Sequence, residues 1–263
     1  MNPIGLASGV LPEFDAATVV RAAHAAGFEL AGLWVDPAEW SPAQTTATRQ
    51  ALAETGIGVI DVEVLWLRDG ATMDDHKAIL DVGLELGAAN ALCVSSDPDH
   101  GRTADWLAQL CRHVEGTSLR INLEFGWFSA VHDLAEAKAI VEKVDHERAA
   151  ILIDPIHVDR SHTPVAQIAS LDRSLISYAQ FCDALAERPD VHDWDAVIVD
   201  AVDLRQQTGE GALDLDAIYR ALPDDLPLSI ELRSAALREG FPDPVDRASA
   251  VAQATRQWLE TRR

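Results

Sequence analysis

No cysteine pair, no long apolar run and no surplus of positive charge occur in this chain of 263 residues. The three cysteines, Cys93, Cys111 and Cys182, are odd in number and far apart, which excludes a disulfide framework and a thiolate zinc site. Cys93 and Cys182 sit inside apolar runs, where small buried hydrophobes belong, and no chemistry is assigned to them. No run approaches the ~20 apolar residues of a membrane span. Lys and Arg number 21 against 43 Asp and Glu, and the resulting net charge of −22 opposes contact with a phosphate backbone. Nucleic acid and membrane are therefore not expected partners. Residues 1–14 carry no basic residue ahead of their apolar stretch and Glu13 soon after it, unlike a signal or transit peptide, so a cytoplasmic protein is expected. No Pro, Gly or Ser stretch marks a linker, and one domain over 1–263 is expected.

What the sequence does have is alternation. Short apolar runs of strand character are followed by amphipathic stretches of helical period from one end to the other. Ile4–Leu6, Glu29–Val35, Gly58–Leu65, Ala91–Val94, Leu119–Phe125, Ala150–Ile153, Ile176–Phe181 and Leu228–Leu232 read as strands. Helices are expected over Asp15–Gly27, Pro42–Thr55, Asp74–Leu86, Arg102–Glu115, Leu134–Val144, Leu213–Leu222 and Val245–Arg262, and Leu185–Leu204 reads as a long irregular connection. Eight βα units in this length predict a (β/α)8 TIM barrel. An open doubly wound sheet is the rival, but no GxGxxG follows an early strand.

Four of the later strands end in a residue able to bind a metal: Glu124, Asp154, Gln180 and Glu231. In a barrel these ends converge on one face, where three carboxylates would repel one another unless a cation compensated them. The oxygen-rich set suits one divalent metal, Mn²⁺ first, with Mg²⁺, Co²⁺ or Zn²⁺ as alternatives. His157, in Asp154-Pro-Ile-His157, is within reach of the same mouth, although a loop histidine is ordinarily just solvated. Arg68, Arg205 and Arg233 could each clamp a carboxylate or a hydroxyl pair, and each alone would more often be a surface ion-pair partner. Trp34, Trp40, Trp66 and Trp127 lie near strand ends, suited to a ring-shaped ligand or simply to loop packing. The Gly209-Glu-Gly211 element lacks the lysine of a P-loop, so no phosphate cradle is inferred.

Glu124, Asp154-Pro-Ile-His157, Arg205-Gln-Gln-Thr-Gly-Glu-Gly211 before Leu213-Asp214, and Ser229-Ile-Glu231 resemble, in order and spacing, the sugar-phosphate isomerase/epimerase family of xylose isomerase-like TIM barrels. The resemblance implies that Glu124, Asp154, Gln180 and Glu231 hold one divalent metal while His157 and Arg205 contact substrate. It also implies a keto-sugar or cyclic-polyol isomerase or epimerase working through a metal-stabilised enolate. Epimerases of the family usually have His at position 180. The glutamine there, together with Trp66-Leu-Arg68-Asp-Gly70, resembles the 3-dehydroshikimate dehydratase branch, so a lyase is the alternative. Where that branch often has asparagine after the last Glu, this chain has Leu232-Arg233-Ser234. In an epimerase, Glu124 and Glu231 would exchange proton-transfer roles; in a dehydratase, His157 would protonate the departing hydroxyl. A barrel serving only as a binding or partner subunit is the reading of a different class, opposed by intact candidate ligands on four strands. The expected partner is a small polyhydroxylated molecule, and a homo-oligomer is compatible with the sequence.

Overall fold

Eight parallel strands form one sheet in the order β6-β5-β4-β3-β2-β1-β8-β7. They are β1 (Ile4–Leu6), β2 (Leu30–Trp34), β3 (Gly58–Leu67), β4 (Ala88–Ser95), β5 (Arg120–Glu124), β6 (Ala149–Leu152), β7 (Ala179–Phe181) and β8 (Leu228–Ile230). In this computed structural model, which describes residues 2–262, a parallel bridge between Ile153 and Ala179 joins β6 to β7 and brings the sheet round to a nearly closed barrel. The helices between the strands are α1 (Ala16–Ala25), α2 (Pro42–Thr55), α3 (Met73–Leu86), α4 (His100–His113), α5 (Leu134–Val144), α6 (Pro155–Arg160), α7 (Val165–Ala169), α8 (Trp194–Val202), α9 (Leu215–Ala221), α10 (Ala235–Gly240) and α11 (Pro244–Glu260). The expected TIM barrel is the observed one. Among the described residues no helix is long and apolar enough to cross a membrane.

Local chemistry explains the boundaries. Pro42–Thr55 starts with a reciprocal capping box between Ser41 and Gln44 and ends at Gly56 in the left-handed region, φ 73°. Thr72 and Asp75 make the same box for α3, which stops at Gly87. Asp15, Asp99, Asp133, Asp154, Asp193, Asp214 and Asp243 each accept a backbone N–H at the start of a helix. Part of the acidic surplus is therefore helix capping.

Strand alternation sorts the core into two layers. Val62, Leu65, Cys93, Ile121, Leu123, Ile151 and Phe181 pack outward with apolar faces of the helices, while Ile60, Leu92, Val94, Leu152 and Tyr178 form a separate apolar cluster with Val64, Trp66 and Phe128. β3 breaks the pattern. Its pairing shifts against β2 at Ala31/Gly32 and against β4 between Val62 and Leu65, and it buries Asp61 and Glu63. Asp61 fits only because Gly32 opposes it: a Cβ there would lie 2.4 Å from Asp61 Oδ1.

Two segments differ from the sequence expectation. The connection 185–204 is not irregular throughout, because Trp194–Val202 is helical, N-capped by Asp193 and anchored by a buried two-point ion pair from Arg160 to Asp200 (2.9 and 3.0 Å). The sixth connection, expected to be short about Pro164 to Leu171, holds two short helices, α6 and α7. The Thr208–Gly211 turn wraps Asp183, which accepts from the backbone N–H groups of Gly209 (3.2 Å) and Leu213 (3.0 Å). Gly209 has φ 85°, and a Cβ on it would meet Trp258 Cδ1 at 2.3 Å, within a cluster where that indole packs on Phe181 and Tyr219. Gly209→Ala should therefore cost about 1–3 kcal/mol through combined backbone strain and overpacking. A urea midpoint equal to that of the parent protein would show that the turn is not docked on Trp258.

Candidate active site

The C-terminal ends of β3, β5 and β8 and the segments that follow β6 and β7 enclose a cavity of about 170 Å³. Its charged lining is Glu63, Glu124, His157, Arg205, Glu231 and Arg233, and its apolar walls include Trp34, Trp66 and Phe128. Residues Ile198, Ala201 and Val202 of α8 cover it. A second cavity of about 350 Å³, between the α1 and α2 entrances, shares Trp34 and Arg233 with the first.

Each charged group is placed by a strand end or a cap. Glu124 is the last residue of β5 and is buried. Asp154 follows β6 as the N-cap of α6, its Oδ1 accepting Ile156 N–H at 3.1 Å. Pro155 at the first helical position starts α6 there, and one turn carries His157 back toward the strand ends. The imidazole Nε2 lies 3.8 Å from Glu124 Oε1 and 3.7 Å from Asp154 Oδ2, with the ring against Phe128. One ligand atom from each of Glu124, Asp154 and His157 lies within 4.8 Å of the other two. Gln180, on β7, is buried with its backbone N–H donating to Ile153 O at 3.0 Å, beside Asp154 in sequence.

Arginines balance the other side. Arg205 Nη1 is 2.7 Å from Asp154 Oδ2 and 2.8 Å from Glu231 Oε2, and Arg233 Nε is 3.1 Å from Glu231 Oε1. Both oxygens of Glu231 thus accept from guanidinium groups. Arg205 Nε also donates to Ala201 O at the end of α8 (2.7 Å), tying the covering helix to the carboxylates. Burial pushes the Asp154 carboxyl up, but the charges of Arg205 and His157 outweigh it and hold it below the usual range. Glu124 lacks such a partner: burial, then the negative charges of Glu231 and Asp154, push it well above the usual range. Burial lowers His157 to about 4 despite the nearby Asp154. For Arg205 the same burial is overcome by Asp154 and Glu231, which hold its proton more tightly.

The unpartnered atoms indicate what this arrangement can accept. Glu124 Oε1, His157 Nδ1 and both amide atoms of Gln180 are buried without a hydrogen-bond partner. Such groups are costly unless something else engages them. Glu124, Asp154 and His157 bring two carboxylates and an imidazole close enough to fit a divalent cation, with Asp154 shared between that cluster and Arg205.

The sequence pattern of the xylose isomerase-like TIM barrels matches residues 20–262. The chain belongs to that family. No curated protein matches it in sequence. Among solved structures, this xylose isomerase-like barrel is similar to the IolI protein with a bound zinc atom, at TM-score 0.82 and 15% identity over 98% of both chains. It is similar to D-allulose 3-epimerase from Methylomonas sp. in complex with D-allulose, at TM-score 0.73 and 14% identity over 97% of this chain and 96% of that one. The probable 3-DHS dehydratase AsbF of petrobactin synthesis from Bacillus anthracis superposes at TM-score 0.72 with 17% identity, covering 97% of this chain and 98% of that one. These likenesses are of fold.

Of the residues singled out in the sequence, Glu124, His157, Arg205, Glu231 and Arg233 share the cavity; Asp154 is buried against Arg205, and Gln180 is buried on β7 without lining the cavity. Arg68 does not line it: this exposed side chain stacks on Trp66, 4.6 Å from the ring centroid. Trp127 is half-buried outside it, and its neighbour Phe128 takes the wall position. Alternation alone gives no reason to aim Asp61 or Glu63 inward; the register shifts of β3 do. Cys182, read as a plain hydrophobe, touches the site through a 3.6 Å contact with Asp154 Oδ1 and accepts from Arg205 Nη1 at 3.4 Å. Arg205→Met should destabilise the fold by about 3–5 kcal/mol, since it strands two buried carboxylates. Urea unfolding in chelator is the measurement, and a loss below about 1 kcal/mol would mean that Asp154 and Glu231 do not depend on that guanidinium.

Proposed function

We propose that this protein is a metal-dependent isomerase or epimerase of a small polyhydroxylated ketone, a keto-sugar or cyclic polyol, that works by moving a proton on the carbon next to the carbonyl. The observation that carries this reading is the convergence of Glu124, Asp154 and His157 within 4.8 Å, beside a cavity that also holds two arginines. A divalent cation held by Glu124, Asp154 and His157, with Gln180 and Glu231 beside them, would supply Lewis-acid polarisation of the carbonyl and so acidify the neighbouring C–H. Mn²⁺ is the first choice for this oxygen-rich donor set, with Mg²⁺, Co²⁺ or Zn²⁺ as alternatives.

The side chains divide the remaining work. Arg205 and Arg233 present N–H donors to substrate oxygens, and they keep Glu231 anionic and fixed. His157, a neutral ring at neutral pH, turns Nε2 toward the two carboxylates, where it either holds the cation or donates to a substrate oxygen, one nitrogen serving one role at a time. Glu124, whose Oε1 is buried without a hydrogen-bond partner, would give one oxygen to the cation and turn the other toward the substrate C–H. Trp34, Trp66 and Phe128 offer flat apolar walls to the unreactive face of the ligand, and α8 keeps water out. Arg68, stacked on Trp66 outside the cavity, would reach a substrate only at its outer end.

A lyase of the dehydratase kind is the second reading, favoured by Gln180, whose neutral amide is buried where the family's epimerases usually carry histidine. Two measurements test the proposal. Mn²⁺ at one hundred times its Kd should stabilise the protein by about 2.7 kcal/mol, and Glu124→Gln should remove most of that gain together with turnover. Unchanged metal-linked stabilisation and unchanged turnover in that variant would sink the site. Incubation in D₂O with keto-sugars and 3-dehydroshikimate separates the two reactions: deuterium in an isomeric product marks epimerisation, and a growing conjugated ultraviolet chromophore marks elimination.

A further inference from the structure

We propose that Glu63 is a second proton-transfer residue of this site, working from the β3 wall of the cavity. The inference rests on the enolate reading above and specifies which group completes it.

Reversible proton movement beside a carbonyl needs two groups, one to take the proton and one to return it or to protonate a departing hydroxyl. Of the carboxylates that line the cavity, Glu231 has both oxygens engaged by arginines, and Glu124, which can supply one of the two groups, also belongs to the metal-capable cluster. Glu63 alone lines the cavity without either commitment. The Ser8 hydroxyl donates to its Oε1, which fixes the carboxyl in place. Its Oε2 makes no hydrogen bond among the described residues, and Glu63 lines the cavity. The bulge in β3 has brought a carboxylate inside at the cost of regular pairing, and Glu63 is 2% exposed.

The surroundings suit a group that gains and loses a proton. Burial raises the Glu63 carboxyl above the usual range, the charges of Arg233 and Arg205 pull it back, and Glu231 opposes them. Asp61, two residues earlier, is also pushed well up by burial and by the charge of Glu63, and Tyr178 faces it. Glu63 thus shares its wall with another buried carboxyl, and Arg205 and Arg233 line the same cavity.

The step balances as follows. Glu63 Oε2 takes the proton from the carbon next to the carbonyl: the C–H bond breaks, an O–H bond forms, the C–H pair becomes the enolate double bond and the carbonyl π pair moves onto its oxygen. In epimerisation a protonated Glu124 gives its proton to that carbon from the opposite face as the oxygen pair re-forms the carbonyl, which leaves Glu63 as the acid and Glu124 as the carboxylate. In elimination the enolate pair forms the new carbon–carbon double bond, the C–O pair leaves with the hydroxyl, and the proton on Glu63 goes with it as water.

The test uses the full chain loaded with Mn²⁺, in D₂O, with the same keto-sugars and 3-dehydroshikimate. Glu63→Gln should bind Mn²⁺ within about threefold of the parent affinity by titration of the free-ion EPR signal, keep KM within about threefold, and lose at least ~100-fold in kcat and in deuterium wash-in. Glu63→Asp should recover part of that loss. Ser8→Ala, which leaves the carboxyl in place but unanchored, should lose about 10-fold in kcat. Wash-in by Glu63→Gln within about fivefold of the parent overturns the proposal, as does loss of Mn²⁺ binding with the activity, which would make Glu63 a ligand. Should Glu63→Gln fail to fold by circular dichroism, an unchanged kcat in Ser8→Ala overturns it instead. A parent protein that binds Mn²⁺ yet exchanges no substrate proton overturns the enolate reading and this inference with it.

Discussion

Everything at the mouth of this barrel depends on the neutralisation of buried carboxylates. Asp61, Glu63, Glu124, Asp154 and Glu231 are each at most 5% exposed. In so dry a setting, charges of one sign either find a cation or give up their charge. Arg205 supplies the cation for two of them through a single nitrogen, and Arg233 supports one of the pair again. Asp61 and Glu124 take the other course and are pushed toward the neutral acid. The division of the site into an arginine-held half and a half with unpartnered donors follows from where those two guanidinium groups reach.

That division also bears on how family resemblance should be used. The chain belongs to the xylose isomerase-like barrels, and structures as different as an epimerase and a probable dehydratase superpose on it over nearly their whole length. A fold that hosts both reactions cannot choose between them. What is particular to this chain lies in a few side chains: the buried neutral amide of Gln180, the arginine clamp on Glu231, and a β3 carboxylate buried beside a register shift.

The sequence revealed the barrel because its evidence is periodic and local. Pro42–Thr55 and Leu134–Val144 are bounded in the structure as their caps and apolar spacing indicate. Glu124, Asp154 and Glu231 could be recognised because a carboxylate at the end of an apolar run is conspicuous. Glu63 could not, since its inward aim comes from a register shift between strands far apart in sequence. Trp194–Val202 was equally opaque: Ala-Val-Ile-Val is β-branched, and it becomes helical because Asp193 caps it and Arg160 holds Asp200. Arg205 was visible as a candidate clamp, but its bridging of Asp154 and Glu231 joins residues 51 and 26 positions away.

Asp154 illustrates how architecture and chemistry come to share an address. One of its oxygens starts α6 by accepting Ile156 N–H, and the other faces Arg205 and His157. Asparagine or serine would keep the cap and forfeit the charge, while glutamate would keep the charge on an arm one methylene too long for the cap. Drift at this position has no half-way house, because every single replacement gives up one of the two duties. The helix start is thereby yoked to the buried charge network, and the barrel cannot lose the one without unsettling the other.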